Sequence, residues 1–306
     1  MTSVDRCLAD ILPWEPAATH DTAASSVMGV QQMLGKSLCM QALRGYIAKV
    51  ASTDSNVLLT GETGTGKELA AELIHRSSRR RQSPFVCINC AAIPDTLLES
   101  ELFGYERGAF TGAHAFKEGT LKLADGGSVF FDEIGDMSLY AQAKILRAIE
   151  SKEVHRLGGK ASIPLNVRLI AATNQDLERL VAEGKFRTDL YFRLNVARIH
   201  LPPLRDHKED IPPLCEHHIR ELNRQFGLEV EGFSEEAFAY VLRYNWPGNV
   251  RELKNFIEAT FVNLPSRRIS LMDLPDHFTG ASGRPRGLPR ASGSECCARC
   301  YPPVGM

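Results

Sequence analysis

The chain carries 306 residues, 36 of them Lys or Arg and 37 Asp or Glu, for a formal net charge of −1. That balance excludes a wholesale electrostatic grip on nucleic acid or an anionic membrane and leaves only local patches for such contacts. No apolar run reaches the roughly 18 residues of a membrane span, and the N-terminus lacks a basic-then-apolar export signal, so a cytoplasmic protein with no membrane partner is expected.

Residues 1–32 mix Pro, Ala, Ser and Thr without sustained periodicity and read as a flexible leader. From residue 33 to residue 204, short apolar runs alternate with amphipathic stretches. The spacing predicts strands over Val57–Thr60, Phe85–Asn89, Ser128–Asp132, Val167–Thr173 and Ala197–Leu201. Such alternation points to an α/β fold, a parallel sheet flanked by helices. Leu69, Ala70, Leu73 and Ile74 form one helical stripe, and Ala141, Ile145, Leu146 and Ile149 another; both are expected to be core.

The first strand runs into Gly61-Glu62-Thr63-Gly64-Thr65-Gly66-Lys67-Glu68, an apolar strand followed by a glycine-rich turn and lysine. This is the chemistry of a phosphate-binding loop: glycines let backbone N–H groups surround phosphate oxygens, and Lys67 adds a point charge for the outer phosphates. Glu68 stands where a magnesium-ligating hydroxyl is usual, so metal binding must lean on a second acidic motif. Ser128–Asp132 followed by Glu133 supplies it. Asp132 at a strand end can hold a hydrated magnesium ion, and Glu133 can polarise a water for in-line attack. A solvated Asp-Glu pair opening a loop is the alternative.

Cys87 and Cys90 lie on a predicted strand that sends them to opposite faces, which argues against a zinc knuckle. Between the second and third strands, Gly108-Ala109-Phe110-Thr111-Gly112-Ala113 brackets a lone aromatic with glycines, as in a protruding loop. Phe110 there is either exposed apolar surface for a partner or a ring tucked under its own turn; the residues alone leave both open. From residue 205 to residue 279 the pattern is helical, with segments over Asp210–Phe226, Ser234–Tyr244 and Asn249–Val262 and turn chemistry at Trp246-Pro247-Gly248-Asn249. Residues 280–306 are rich in Gly, Pro, Ser and Arg and are expected to be disordered, with no helix-turn-helix pattern. Cys296, Cys297 and Cys300 in that tail lack the second paired half of a zinc site.

Gly61–Glu68, Gly108–Ala113, Asp132-Glu133, Ala171-Ala172-Thr173-Asn174, Phe186–Arg193 and Trp246–Leu253 together resemble the AAA+ ATPase domain of bacterial sigma-54-dependent transcription activators. The resemblance spans roughly residues 34–278 and implies a P-loop AAA+ sheet followed by a small all-helical lid. Glu in place of Ser or Thr after the lysine is usual in that family. ATP and Mg2+ are the implied cofactors, and the sigma-54 RNA polymerase holoenzyme is the implied partner. Leu34 and Gly35 resemble part of the adenine pocket, Asn174 the sensor beside the γ-phosphate, Asn89 the restraint on the catalytic glutamate, and Arg251 the sensor of the lid. Asn174 could equally be a strand-end cap.

Arg187 and Arg193, on a predicted short helix, resemble arginines that reach a neighbouring subunit's nucleotide, which implies a homo- or hetero-hexamer with related subunits. A local salt bridge from Arg187 to Asp189 is the alternative. Phe110 and Thr111 are implied to touch sigma-54. The family's usual sensory and DNA-reading domains are not recognisable here, so truncation or partner-dependent recruitment is expected. The missing DNA reader also prompts a different reading, a nucleotide-binding adaptor or inhibitory partner without productive hydrolysis.

Overall fold

A computed structural model of the chain describes residues 33–262 and 267–275. The leader of residues 1–32 and the tail of residues 280–306, with its three cysteines, lie outside the described residues. Five strands, Val57–Thr60 (β1), Phe85–Asn89 (β2), Ser128–Asp132 (β3), Arg168–Thr173 (β4) and Ala197–His200 (β5), form one sheet. All pair in parallel, in the order β2-β3-β4-β1-β5. The longer helices are α1 (Leu38–Ala51), α2 (Lys67–Arg76), α3 (Asp95–Phe103), α4 (Leu139–Ser151), α5 (Leu177–Ala182) and α6 (Thr188–Leu194), then α7 (Ile211–Phe226), α8 (Glu235–Arg243) and α9 (Asn249–Val262).

The pleat divides each strand between two cores. Leu58, Val129, Phe131, Leu169 and Ala171 face α3, α4 and α6, meeting Leu98, Leu102, Ile145, Leu146, Leu190 and Leu194. Val57, Leu59, Phe130, Ile170 and Ala172 face α1 and α2, meeting Leu43, Ile47, Ala70 and Ile74. Burial on both faces explains why β3 and β4 read as continuous apolar runs rather than alternating ones. The connection from β1 crosses to the far edge at β2, while the chain leaving β4 passes to the other side at β5. A crevice therefore opens at the carboxyl ends of β1, β3 and β4, the place where such sheets receive ligands. Gly61, Glu133 and Asn174 are positioned there.

Two hairpins, Gly104–Tyr105 with Lys117–Glu118 and Glu153–His155 with Ser162–Pro164, stand off the sheet and touch through a Tyr105–Leu157 bridge. The second unit packs α7, α8 and α9 around Trp246, Leu253, Phe256 and Ile257. It also contains a parallel pair, Gly232–Phe233 with Arg268–Ile269, that an all-helical expectation omits; two residues per strand are too few to produce a periodic signal.

One residue breaks the apolar rule of the buried strands for a physical reason. Arg168 at the start of β4 is 1% exposed. It donates to the carbonyls of Val50 (2.9 Å), Ala51 (3.3 Å) and Ser55 (3.1 Å), at and just beyond the negative end of α1. Burial pulls its guanidinium below the ordinary range, opposed by Asp54. Arg168→Leu restores apolarity but strands those carbonyls, so thermal unfolding by calorimetry should show a loss of about 3 kcal/mol. An unchanged melting temperature would mean that water replaces the guanidinium.

Candidate functional site

Beyond Thr60 the chain turns through the glycine loop into α2, whose N-terminal cap is Gly66 at φ 94°. No side chain caps this helix, so its leading N–H groups are available to a ligand. Gly64, at φ 81°, is the most constrained position: a Cβ there would lie 2.1 Å from the Gly248 carbonyl oxygen. Its own carbonyl accepts from Val250 N–H (3.0 Å) and Arg251 N–H (3.3 Å). The packing of the helical unit thus by itself requires a glycine at this position.

Asn249 completes that junction. Fully buried and left-handed at φ 53°, it accepts from Leu204 N–H at 2.8 Å through Oδ1. Its Nδ2 donates to the Thr63 carbonyl (2.9 Å) and to Glu62 Oε2 (3.3 Å). Arg205 forks onto both Glu62 oxygens at 2.7 and 2.5 Å. That guanidinium, working against burial and assisted by Asn249, holds the Glu62 carboxyl below the usual range.

The charged centre lies under the loop. Lys67, 7% exposed, donates from Nζ to the Gly61 carbonyl at 3.0 Å and sits 3.4 Å from Glu133 Oε1. Glu133 has φ 50°, a strained backbone for a residue other than glycine, and its Oε2 accepts from Asn174 N–H at 3.1 Å. Asn174 Nδ2 donates to Thr63 Oγ1 at 3.0 Å. Loop, β3 end and β4 end are therefore joined by side-chain bonds. Asp132 is half-buried and accepts from Glu133 N–H at 3.1 Å. Burial pushes its carboxyl up, offset in part by Lys67, with Glu68 raising it and Arg251 lowering it from farther off. A carboxylate short of positive charge and beside the phosphate loop fits a divalent cation.

The remaining candidates are placed less uniformly. Asn89 pairs in register with Asp132, but its Oδ1 accepts from Ala91 and Ala92 N–H, while Glu133 is held by Lys67 and Asn174. Leu34 lines a cleft between sheet and helical unit together with Thr65, Gly66, Leu201 and Val250. Gly35 instead abuts Asp210, whose Oδ2 would lie 2.8 Å from a Cβ there. Asp210 is fully buried and accepts from Lys36 N–H (2.5 Å), Ser37 N–H (2.9 Å), Ser37 Oγ (2.5 Å) and His207 Nδ1 (2.9 Å). Burial alone would raise its carboxyl; the bonds from Ser37, Lys36 and His207 outweigh burial and leave it lowered. Asp210 thereby moors the segment carrying Leu34.

Arg187 caps α6 and pairs with Asp189 at 3.0 and 2.7 Å, and Arg193 is exposed on the same helix. Among the described residues, neither bonds to Lys67, Asp132 or Glu133. In the glycine-bracketed loop, Gly108 N–H to Ala113 O (2.9 Å) and Ala113 N–H to Phe110 O (3.0 Å) close the turn, and Ala113 is buried. Phe110 is 46% exposed and meets Tyr105 edge-on at 5.0 Å, so one side of the ring is supported and the other open. Thr111 and Gly112 are exposed.

Residues 33–200 match the family described as sigma-54 interaction domain, and residues 205–288 match the AAA+ ATPase lid domain. The chain belongs to the sigma-54-dependent transcriptional activators. It is 49% identical over 248 residues to the transcriptional regulatory protein ZraR of Klebsiella oxytoca, covering 81% of this chain and 56% of that protein. Against the DNA-binding transcriptional regulator NtrC of Proteus hauseri, identity is 42% over 294 residues, 94% of this chain and 62% of the regulator. NtrX from Brucella abortus, solved in complex with ATP, superposes with a TM-score of 0.75 at 37% identity, covering 81% of this chain and 57% of NtrX. The chain thus spans about half to three-fifths of the length of these relatives. Its fold is the AAA+ P-loop sheet with a helical lid, and among the described residues no helix is long and apolar enough to cross a membrane.

Asn249, Arg205 and Asp210 escaped the sequence reading. Trp246–Asn249 was legible as turn chemistry before a helix, but the partners of Asn249 lie in a remote segment. The raised carboxyl of Asp132 carries a stability consequence. Its charged form is disfavoured by folding, so the penalty is present at neutral pH and vanishes below the unfolded carboxylate range, about pH 4. Asp132→Asn should therefore raise the melting temperature of the nucleotide-free chain at pH 7, with the gain fading toward pH 3, as checked by melts across that range.

Proposed function

We propose that this chain is a cytoplasmic ATPase that remodels the sigma-54 RNA polymerase closed complex so that promoter DNA can open. The observation that carries the reading is the contact between Lys67 and Glu133, with Asn174 linking Glu133 to Thr63 of the loop. A triphosphate seated on Gly61–Lys67 competes for the Lys67 ammonium. As Lys67 turns to the outer phosphates, the Glu133 carboxylate is freed to accept a proton from the attacking water. Asp132 would hold Mg2+, which neutralises charge on the phosphate oxygens. Asn174, bonded to both Glu133 and Thr63, would register loss of the outer phosphate through its single side-chain bond, and those two bonds support that role.

Arg187 and Arg193 lie away from their own chain's cluster, which suits donation to a neighbour's phosphates across a head-to-tail seam. Such seams close into rings, and a hexamer, of this chain alone or with related subunits, is the assembly we infer. Arg251 and Leu34 complete the nucleotide site from the lid and the leading segment, and Asn89 supports the β3 end through the Ala91–Ala92 turn. The loop bearing Phe110 and Thr111 offers sigma-54 an open aromatic face beside a hydroxyl. The resemblance to the ATP complex of NtrX and the match to the sigma-54 interaction domain support this reading.

Glu133→Gln keeps shape and hydrogen bonding but removes the proton acceptor. ATP binding should persist while turnover falls by about 10²–10⁴; turnover at the unsubstituted rate would dismiss Glu133 as the base. Phe110→Ala should leave ATP hydrolysis near normal and abolish ATP-dependent opening at a sigma-54 promoter, read by permanganate footprinting. Normal opening by that variant would assign sigma-54 contact elsewhere.

A further inference from the structure

Helix α7 carries a group of side chains that nucleotide chemistry leaves unused. His217, His218 and Glu221 occupy positions i, i+1 and i+4 of that helix. At about 100° per residue, Glu221 falls between the two histidines in helical projection, one turn farther along. Side chains of a helix lean toward its N-terminus, so the carboxylate reaches back over both rings. Its Oε1 lies 3.4 Å from His217 Nε2 and its Oε2 lies 3.3 Å from His218 Nδ1. Among the described residues this is the one cluster of three or more such groups whose ligand atoms all lie close together, within 4.8 Å of one another.

Hydrogen bonding accounts poorly for that convergence, because both separations exceed the usual ~2.9 Å of an N–H···O bond. A tetrahedral zinc ion, bound at about 2.0–2.1 Å, instead sets its ligand atoms about 3.3 Å apart. Two sides of the triangle already have that spacing, and rotation of the partly exposed His217 ring would shorten the third. Two imidazoles with one carboxylate suit a borderline divalent ion of the zinc class, whereas Mg2+ prefers oxygen alone. His218 is buried, but His217 and Glu221 are partly exposed, which gives an ion a way in and leaves a fourth position for water.

We propose that His217 Nε2, His218 Nδ1 and the Glu221 carboxylate bind a divalent ion of the zinc class on the helical lid, with water as the fourth ligand. This site is separate from Asp132 and does not depend on a triphosphate at Gly61–Lys67. With Nδ1 on the ion, the ring proton of His218 belongs on Nε2, which is buried and has no hydrogen-bond partner among the described residues. A histidine ligand is ordinarily steadied by a bond from its other nitrogen, and removing such a partner costs about 10–100-fold in affinity. The site is therefore weaker than a structural zinc centre, with a dissociation constant on the order of micromolar, and fills or empties as free metal rises or falls.

The test titrates the full chain, first stripped with a chelator, with Zn2+ in competition with a chromophoric chelator. His217→Ala and Glu221→Gln are titrated beside it, with circular dichroism as the folding control; both changes fall on partly exposed side chains. The unsubstituted chain should take up about one equivalent more than either variant. With Co2+ in place of zinc, the strong visible bands of a tetrahedral ion should appear and be lost in both variants, while any thiolate charge-transfer band from the cysteines stays. A merely structural role for these side chains would move neither readout. Zinc uptake by either variant equal to that of the unsubstituted chain, or tetrahedral Co2+ bands that persist in it, overturns the inference. ATP turnover has no part in these readouts, so failure here leaves the phosphate-loop reading standing.

Discussion

The phosphate loop of this protein is held from outside by backbone. Val250 and Arg251 donate to the Gly64 carbonyl, and the Gly248 carbonyl fills the space that a side chain at Gly64 would need. Backbone contacts of this kind tolerate little displacement, because the donors belong to the first turn of α9 and cannot reorient singly. Loop conformation and lid position are consequently coupled. Asn249 and the Glu62–Arg205 fork strengthen the same junction with side chains. The loop and the helical unit therefore share one set of contacts, through Gly64, Gly248, Val250 and Arg251.

Under that junction the chain accepts local cost. Glu133 adopts a left-handed backbone, Asp132 is held half-buried with too little compensating charge, and His218 keeps a buried nitrogen without a partner. Elsewhere among the described residues, buried polar groups are answered: Asp210 receives bonds from Lys36, Ser37 and His207, and Arg168 satisfies the end of α1. Where a buried group is fully satisfied it holds segments together, and where it is left wanting it lies at the edge of the crevice.

Much of the fold was legible because parallel strands buried on both faces yield apolar runs, and both β3 and β4 are of that kind. Strand ends shifted by a residue at Val167 and Leu201, where backbone pairing and side-chain pattern part company. The glycine loop and Asp132-Glu133 were legible for a different reason: each is a local solution to a chemical demand, compressed into neighbouring residues. The fate of Phe110 was not, since whether a ring beside two glycines is covered depends on Tyr105 and on the neighbouring hairpin.

Through short-range spacing, then, the amino-acid sequence by itself determined the α/β class, the position of the phosphate loop, the acidic pair and the resemblance to a family. Tertiary structure alone decided that Lys67 meets Glu133, that Asn174 reaches Thr63, that Gly35 yields to Asp210 rather than to the cleft, and that Arg187 rests on Asp189. It also decided that His218 turns an unbonded nitrogen inside. The physical reason is common to all of these. A residue's identity fixes which bonds it can make, but which partner is available depends on strands and helices brought together from distant parts of the chain, and that ordering leaves no periodic trace in the residues themselves.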